Sequence, residues 1–301
     1  MIQISDRSLW LVKAFRSVDR HARLRGWRRL GRWLFDPRQQ LDYEFRAKFE
    51  GDLTYVGVAS HYVDWFALLH GAYEEEVVQT IASFARRLTD AVYVDVGANV
   101  GHHVLFMAPH VQTVHAFEPW PELWPSIVRK IEANRLSNVI LHRVGLGELD
   151  EYKTFYQPSD ANTGAGSFIG NVRIGDHHPA ITLPLKRGDC YFEQHGIPWV
   201  DIIKIDVEGY EAQVLRGAQR TLAKCRPLAC VEMGPLNERV FDSLATLRKF
   251  MPPEYRFYGH MPCGRVLRRK ALTELSEAMF MRARRWDGYN VLAAPAEKTL
   301  L

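Results

Sequence analysis

Hydrophobic and polar positions follow three different rhythms along this chain. Between residues 43 and 50, Tyr43, Phe45, Ala47 and Phe49 alternate with Glu44, Arg46, Lys48 and Glu50. That period of two marks a half-buried strand. Gly51-Asp52 then offers a two-residue turn into the apolar run Leu53 to Val58, so a β-hairpin is expected. Upstream the rhythm is helical: Leu24, Trp27, Leu30 and Leu34 share one face, and Arg25, Arg28, Arg29 and Arg32 take the opposite one. This amphipathic segment covers residues 1–38 and ends at Asp36-Pro37, because a residue before proline is pushed out of the helical region. Two further helical stretches are expected over 61–69 and 73–88.

From Val92 the rhythm switches between short apolar runs and helical spacing. Strands are expected at 92–96, 112–117, 138–144, 200–206 and 227–232, with helices at 100–108, 121–135, 208–223 and 236–249. Such alternation builds a mostly parallel sheet with helices on both faces. It breaks between 150 and 190, where Tyr152 to Tyr156 and Ile181 to Leu185 read as an inserted strand pair around a polar loop. The tail adds two strand candidates, Tyr255 to Tyr258 and Gly288 to Leu292. The expected organisation is a basic helix and hairpin extension over 1–70, followed by the main α/β domain over 71–301.

Composition narrows this picture. At 301 residues and 47% hydrophobic, the chain can bury a full core. Net charge is +4, yet residues 1–40 carry ten Lys/Arg against three Asp/Glu. A basic head on a near-neutral body has two readings: a helix that caps the main domain with its arginines in solvent, or a contact for lipid headgroups, an anionic glycan or a partner. Cys190, Cys225, Cys230 and Cys263 form no C-x-x-C pair, which argues against a zinc site and for thiols in a reducing compartment. The N-terminal stretch has no signal-peptide core, and no window reaches 18 apolar residues. The expectation is a cytoplasmic protein, with peripheral contact of the head at the inner membrane surface as the alternative to a free cytoplasmic chain.

The candidate chemistry begins at VDVGANVG, residues 94–101. Gly97 and Gly101 let a ligand approach the backbone closely at the end of the first parallel strand. A dinucleotide loop wants G-x-G-x-x-G so that a pyrophosphate reaches the helix; here the position two after Gly97 is Asn99. The next strand ends in Phe117-Glu118-Pro119, where an acid can accept both ribose hydroxyls. A nucleoside without a diphosphate is implied, and S-adenosylmethionine meets that description. Asp95 then either meets the ligand's positive arm or holds the loop's amides.

A second site lies in VDIIKIDVEGYEAQVLRGA, residues 200–218. A buried parallel strand should be continuously apolar, yet Lys204 and Asp206 share one side of this one. Buried charges cost several kcal/mol unless partnered, so both need a partner or a task. Glu208 follows at once, and Glu232 ends the next strand.

Together with GAYE (71–74), FEP (117–119) and NTGAGS (162–167), these pieces make the chain resemble the FkbM-type S-adenosylmethionine-dependent methyltransferases. The resemblance implies a Rossmann-like seven-stranded sheet with an antiparallel last strand, and methyl transfer to a hydroxyl of a sugar, glycan or natural product. It carries cofactor roles onto Asp95, Gly97, Ala98, Asn99, Gly101 and Glu118, and points to Tyr73 and Glu74 near the methionine arm. His102 and His103 depart from the small or hydroxyl residues common in relatives.

An alcohol acceptor must lose its proton as the C–O bond forms. Asp206 is the first candidate base, with Lys204 setting its charge state and Glu208 second; His102, His103 and His260 are reserves. A divalent metal held by Asp206, Glu208 and Glu232 is compatible with the sequence but not required by it. The rivals are an RNA methyltransferase, which the basic head favours but the absent base-amine and Pro-Cys elements disfavour, an NAD-dependent dehydrogenase, which the glycine spacing disfavours, and an idle partner protein that keeps the cofactor fold, which the acids at three strand ends disfavour.

Overall fold

The computed structural model describes residues 30, 31, 33, 44–158, 166–170, 180–263, 269–285, 288–298 and 300. The basic head, apart from Leu30, Gly31 and Trp33, lies outside them, as does most of NTGAGS. In chain order the elements are β1 (Glu44–Lys48), β2 (Thr54–Val58), α1 (Tyr62–His70), α2 (Glu75–Ala85), β3 (Val92–Val96), α3 (His102–Met107), β4 (Thr113–Phe117), α4 (Trp124–Asn134), β5 (Val139–His142), β6 (Gly145–Gly147) and β7 (Glu151–Tyr156). There follow β8 (Ala180–Arg187), α5 (Gly188–Gln194), β9 (Ile202–Ile205), α6 (Glu211–Gly217), α7 (Gln219–Cys225), β10 (Leu228–Met233), α8 (Leu244–Arg248), β11 (Tyr255–Cys263), β12 (Arg269–Glu274), α9 (Glu277–Ala283) and β13 (Tyr289–Pro295).

The central sheet runs β12-β11-β13-β10-β9-β3-β4-β5. Strands β10, β9, β3, β4 and β5 are mutually parallel, and β13, β11 and β12 join antiparallel. The chain steps outward from β3 to β4 and β5, then returns to β9 on the other side of β3. The strand order therefore reverses at β3, which opens a crevice at the strands' carboxyl ends. One face packs Tyr93, Val114, Ala116 and Ile202 against the hairpin, α1, α2 and α3. The other packs Val94, Val96, Phe117 and Ile203 against α5 to α9.

The sheet has eight strands rather than seven. Tyr255 to Tyr258 was the legible part of β11, which continues through Gly259–Cys263 to pair with β12. RKALTE reads as polar because β12 is an edge strand with one neighbour, where charge is favoured. The expected strand 138–144 is β5, ending at His142; a separate strand that was not expected, β6, follows and joins β7 and β8, so the inserted pair is a three-stranded sheet. The expected helix 208–223 is two helices broken at Ala218. Of 236–249 only α8 is helical, because Asn237 ties its side chain to Gly234 N and Glu232 O and holds the chain in turns.

The hairpin forms as its alternation requires. Phe45 and Phe49 are buried, Glu44, Arg46 and Lys48 are exposed, and Glu50 to Leu53 closes the turn. It is tied down by a buried ion pair. Lys130 on α4 donates to Asp64 on α1 at 3.0 Å, and Asp64 also accepts from Tyr55 Oη at 2.8 Å and Val58 N at 2.9 Å. Burial pushes the Asp64 carboxyl up, but Lys130 and these hydrogen bonds outweigh it and hold the group at about 2. No helix among the described residues is long and apolar enough to cross a membrane.

Candidate functional site

A cleft, open at its mouth, lies at the carboxyl ends of β3, β4, β9 and β10. Gly97, Asn99, Glu118 and Trp120 line one end; Asp206, Glu208 and Glu232 line the other; Tyr62, Tyr73, Phe155 and Phe168 supply aromatic walls. The last two belong to the inserted segment and its flank.

The glycine loop is built by close backbone packing. Gly97 has φ +88°, and a Cβ there would lie 1.8 Å from the Asp206 carbonyl oxygen. Only glycine allows the β3 and β9 loops to meet this way. Gly97 and Ala98 donate their amides to Phe117 O, both at 3.0 Å, and Asn99 donates to Glu118 Oε2 at 2.8 Å. Glu118 Oε1 accepts from Trp120 N at 2.9 Å. The loop's amides are thus held by Phe117 and Glu118, and not by Asp95, which removes one of the two tasks expected of it. Gly101, with φ +80°, starts α3.

Asp95 is buried, and neither carboxylate oxygen has a hydrogen-bond partner among the described residues. Burial pushes it up to about 7; Lys204 opposes the shift, and Asp206 and Glu74 add to it. Glu74 is likewise pushed to about 7 by burial, against Lys204. Its Oε1 accepts from Asn290 Nδ2 at 2.5 Å, and its Oε2 lies 3.2 Å from His103 Nε2 without completing a hydrogen bond. Unsatisfied buried carboxylates of this kind suit a cationic, donor-rich ligand group. Glu118 also rises to about 7, burial outweighing its two amide donors.

Lys204 and Asp206 form an ion pair at 2.6 Å. Burial alone would lower the Lys204 ammonium, but Asp206, Asp95 and Glu74 hold it well above its usual range. Burial would raise Asp206, yet Lys204 and a hydrogen bond shared with Glu232 bring it to about 2. Glu208 is pushed up to about 8 by burial and by Asp206 and Glu211; Glu232 rises for the same first cause and because of Asp206. Ligand oxygens of Asp206, Glu208 and Glu232 lie within 4.8 Å of one another.

The residues expected of the site fall at different depths, and Glu74, Ala98 and Gly101 are not among those lining the cleft. Tyr73, Gly97, Asn99, Glu118, Asp206 and Glu208 line the cleft, while Asp95 and Lys204 are buried around it. Of the reserve histidines, His260 bonds Thr80 and does not line the cleft. Sequence reasoning missed Glu211, whose Oε1 accepts from Val207 N and Gly209 N at 3.1 and 3.0 Å and whose Oε2 accepts from Asn237 Nδ2 at 2.8 Å. This clasp joins the loops after β9 and β10. Its signal was an acid in the first turn of a helix, where free amides need acceptors.

The sequence model of the family described as Methyltransferase FkbM domain matches residues 95–260. "Methyltransferase 1" of Beauveria bassiana is 31% identical over 145 residues, 42% of this chain and 58% of that protein. "Hexuronic acid methyltransferase AglP" of Haloferax volcanii is 25% identical over 200 residues, 56% of this chain and 80% of that protein. The crystal structure of Methyltransferase FkbM from Methylobacillus flagellatus is similar with a TM-score of 0.43 at 17% identity, over 68% of this chain and 44% of that one. The chain therefore spans a little over half of the fungal relative and under half of the bacterial one.

Proposed function

The chain belongs to the Methyltransferase FkbM domain family, and on that premise we propose that it transfers the methyl group of S-adenosylmethionine to a hydroxyl of a sugar, glycan or natural product. One observation carries this reading: a single cleft joins a nucleoside cradle, Gly97, Asn99 and Glu118, to a carboxylate group, Asp206, Glu208 and Glu232. The similarity to a hexuronic acid methyltransferase supports a sugar acceptor.

When bound, the cofactor supplies a methyl already made electrophilic by its sulfonium. The chain's own residues bind, align and move a proton. Each Glu118 oxygen keeps a lone pair beyond its amide bond for the ribose hydroxyls. Asp95 and Glu74 receive the ammonium of the amino-acid arm. Tyr62, Phe155 and Phe168 flank the acceptor side and exclude water; alignment of this kind is worth about 7–11 kcal/mol of barrier. The preference between the two candidate bases reverses. Asp206, held at about 2 beside Lys204, accepts a hydrogen bond and orients the hydroxyl; Glu208, pushed up to about 8, is matched to take its proton. A second reading rests on the closeness of Asp206, Glu208 and Glu232: three hard oxygen donors that would clamp a divalent cation on a sugar diol.

The test is incubation with labelled methyl donor and a panel of neutral glycosides, uronic acids and RNA, beside binding of S-adenosylhomocysteine and NAD. Label in a sugar, and Glu208→Gln lowering turnover by about 10²–10⁴ with S-adenosylhomocysteine still bound, are expected. Label in RNA alone, or a response to NAD alone, would overturn the reading. Loss of activity on chelation, restored by Mg²⁺, would establish the cation.

A further inference from the structure

We infer that His102 and His103 form a paired brace that sets the Tyr73–Glu74 corner against the amino-acid arm of the cofactor. They are positioning residues, and the inference rests on the S-adenosylmethionine reading above.

The corner needs outside support. Glu74 precedes α2 with φ +52°, a left-handed conformation that a non-glycine residue adopts only when its surroundings impose it, and its side chain makes no capping bond to the helix. Two consecutive residues at the start of α3 face these two consecutive residues, one by a hydrogen bond and one by close approach. Tyr73 donates its backbone N–H to His102 Nε2 at 3.0 Å. His103 Nε2 stands 3.2 Å from Glu74 Oε2, while Asn290 holds Oε1 from the other side.

The bonds fix the state of His102. An Nε2 that accepts leaves the ring proton on Nδ1, which faces Tyr55 Oη at 3.3 Å. Tyr55 in turn donates to Asp64, which Lys130 neutralises. The ring also packs edge-on against Phe49, with centroids 5.4 Å apart. A buried ion pair under the hairpin thus supports the tautomer whose Nε2 accepts from Tyr73 N. Both histidines are buried and held neutral: burial pushes each well below its usual range. A neutral imidazole packed 3.2 Å from Glu74 Oε2 limits where that oxygen can move without cancelling its charge, which stays available to an ammonium.

The experiment compares two nucleosides that differ in the arm alone, S-adenosylhomocysteine and 5′-methylthioadenosine, by calorimetry on the full chain. His102→Phe and His103→Phe are expected to weaken S-adenosylhomocysteine by about tenfold and to leave 5′-methylthioadenosine within about twofold. His102→Gln, whose amide oxygen can accept from Tyr73 N, is expected to recover most of the loss. Tyr55→Phe reads the same relay from outside the site and serves if His102→Phe fails to fold. Equal losses for both nucleosides, or no loss for either, would overturn the inference. A wild-type chain that binds neither nucleoside would overturn the proposed function and the brace with it.

Discussion

Two aspartates lie equally deep in this molecule and live under opposite conditions. Asp64 and Asp95 are 0% and 1% exposed, and each has a buried lysine in its electrostatic neighbourhood. Asp64, under the hairpin, accepts from Lys130, Tyr55 and Val58 and sits at about 2. Asp95, beside the cleft, accepts from nothing described and is pushed up to about 7 by burial, which Lys204, drawn also to Asp206 and Glu74, offsets only in part. The same side chain at the same depth is a structural tie in one place and an unmet demand in the other. Satisfaction, not burial, separates the part of the molecule that holds the fold from the part prepared for a ligand.

The comparison breaks most visibly at Lys130. Lys130→Met leaves Asp64 without its counter-charge, and urea unfolding should show a loss of about 3–5 kcal/mol. The Asp64 contribution is also acid-sensitive: its folded value is depressed, so the stability it adds is present above about pH 4 and is lost as pH falls toward about 2.

Asp95→Asn should do the reverse. Removing a partnerless charge should leave stability within about 1 kcal/mol of the parent, or raise it, while calorimetry shows S-adenosylhomocysteine weakened by about 10- to 100-fold through loss of a charge-assisted bond. A parallel loss of stability would place Asp95 with Asp64 among the structural acids.

The smallest effect sharpens the contrast through pH. Asp95 and Glu74 are raised to about 7, so in the cofactor-free protein the stability they contribute is full below about pH 4 and is lost as pH rises through about 7. Binding a cation gains over that same interval, because it wants both groups ionised. S-adenosylhomocysteine affinity should rise by about tenfold from pH 6 to pH 8, with protons released on binding, and Asp95→Asn should flatten the profile. Titrations in two buffers of different ionisation heat measure the protons directly.

The parts legible in the sequence are those where a local pattern suffices. VYVDV is a strand at the expected residues, and Lys204 and Asp206 stood out as charges in an apolar run that do pair with each other. The glycine loop was legible because its backbone demand falls on Gly97 itself. What stayed hidden depends on distant partners. Asn290 meets Glu74 across 216 positions, and Tyr55 meets His102 across 47. The edge strand β12 was invisible for a different reason: polar residues are what an edge selects, so apolar patterning says nothing there.

The contact between Gly97 and the Asp206 carbonyl has one more consequence. The loop after β3 and the loop after β9, which the proposed function assigns to donor and acceptor, touch through two peptide groups. Their spacing is thus a hard stop set by main chain, like the anvil of a gauge. Under the proposed function, walls such as Phe155 and Phe168, carried on the inserted segment and its flank, would be exchangeable to admit a different acceptor without recalibrating the reach from methyl to carboxylate. On that reading the fold keeps the measuring part apart from the selecting part, which makes the latter the place to redesign.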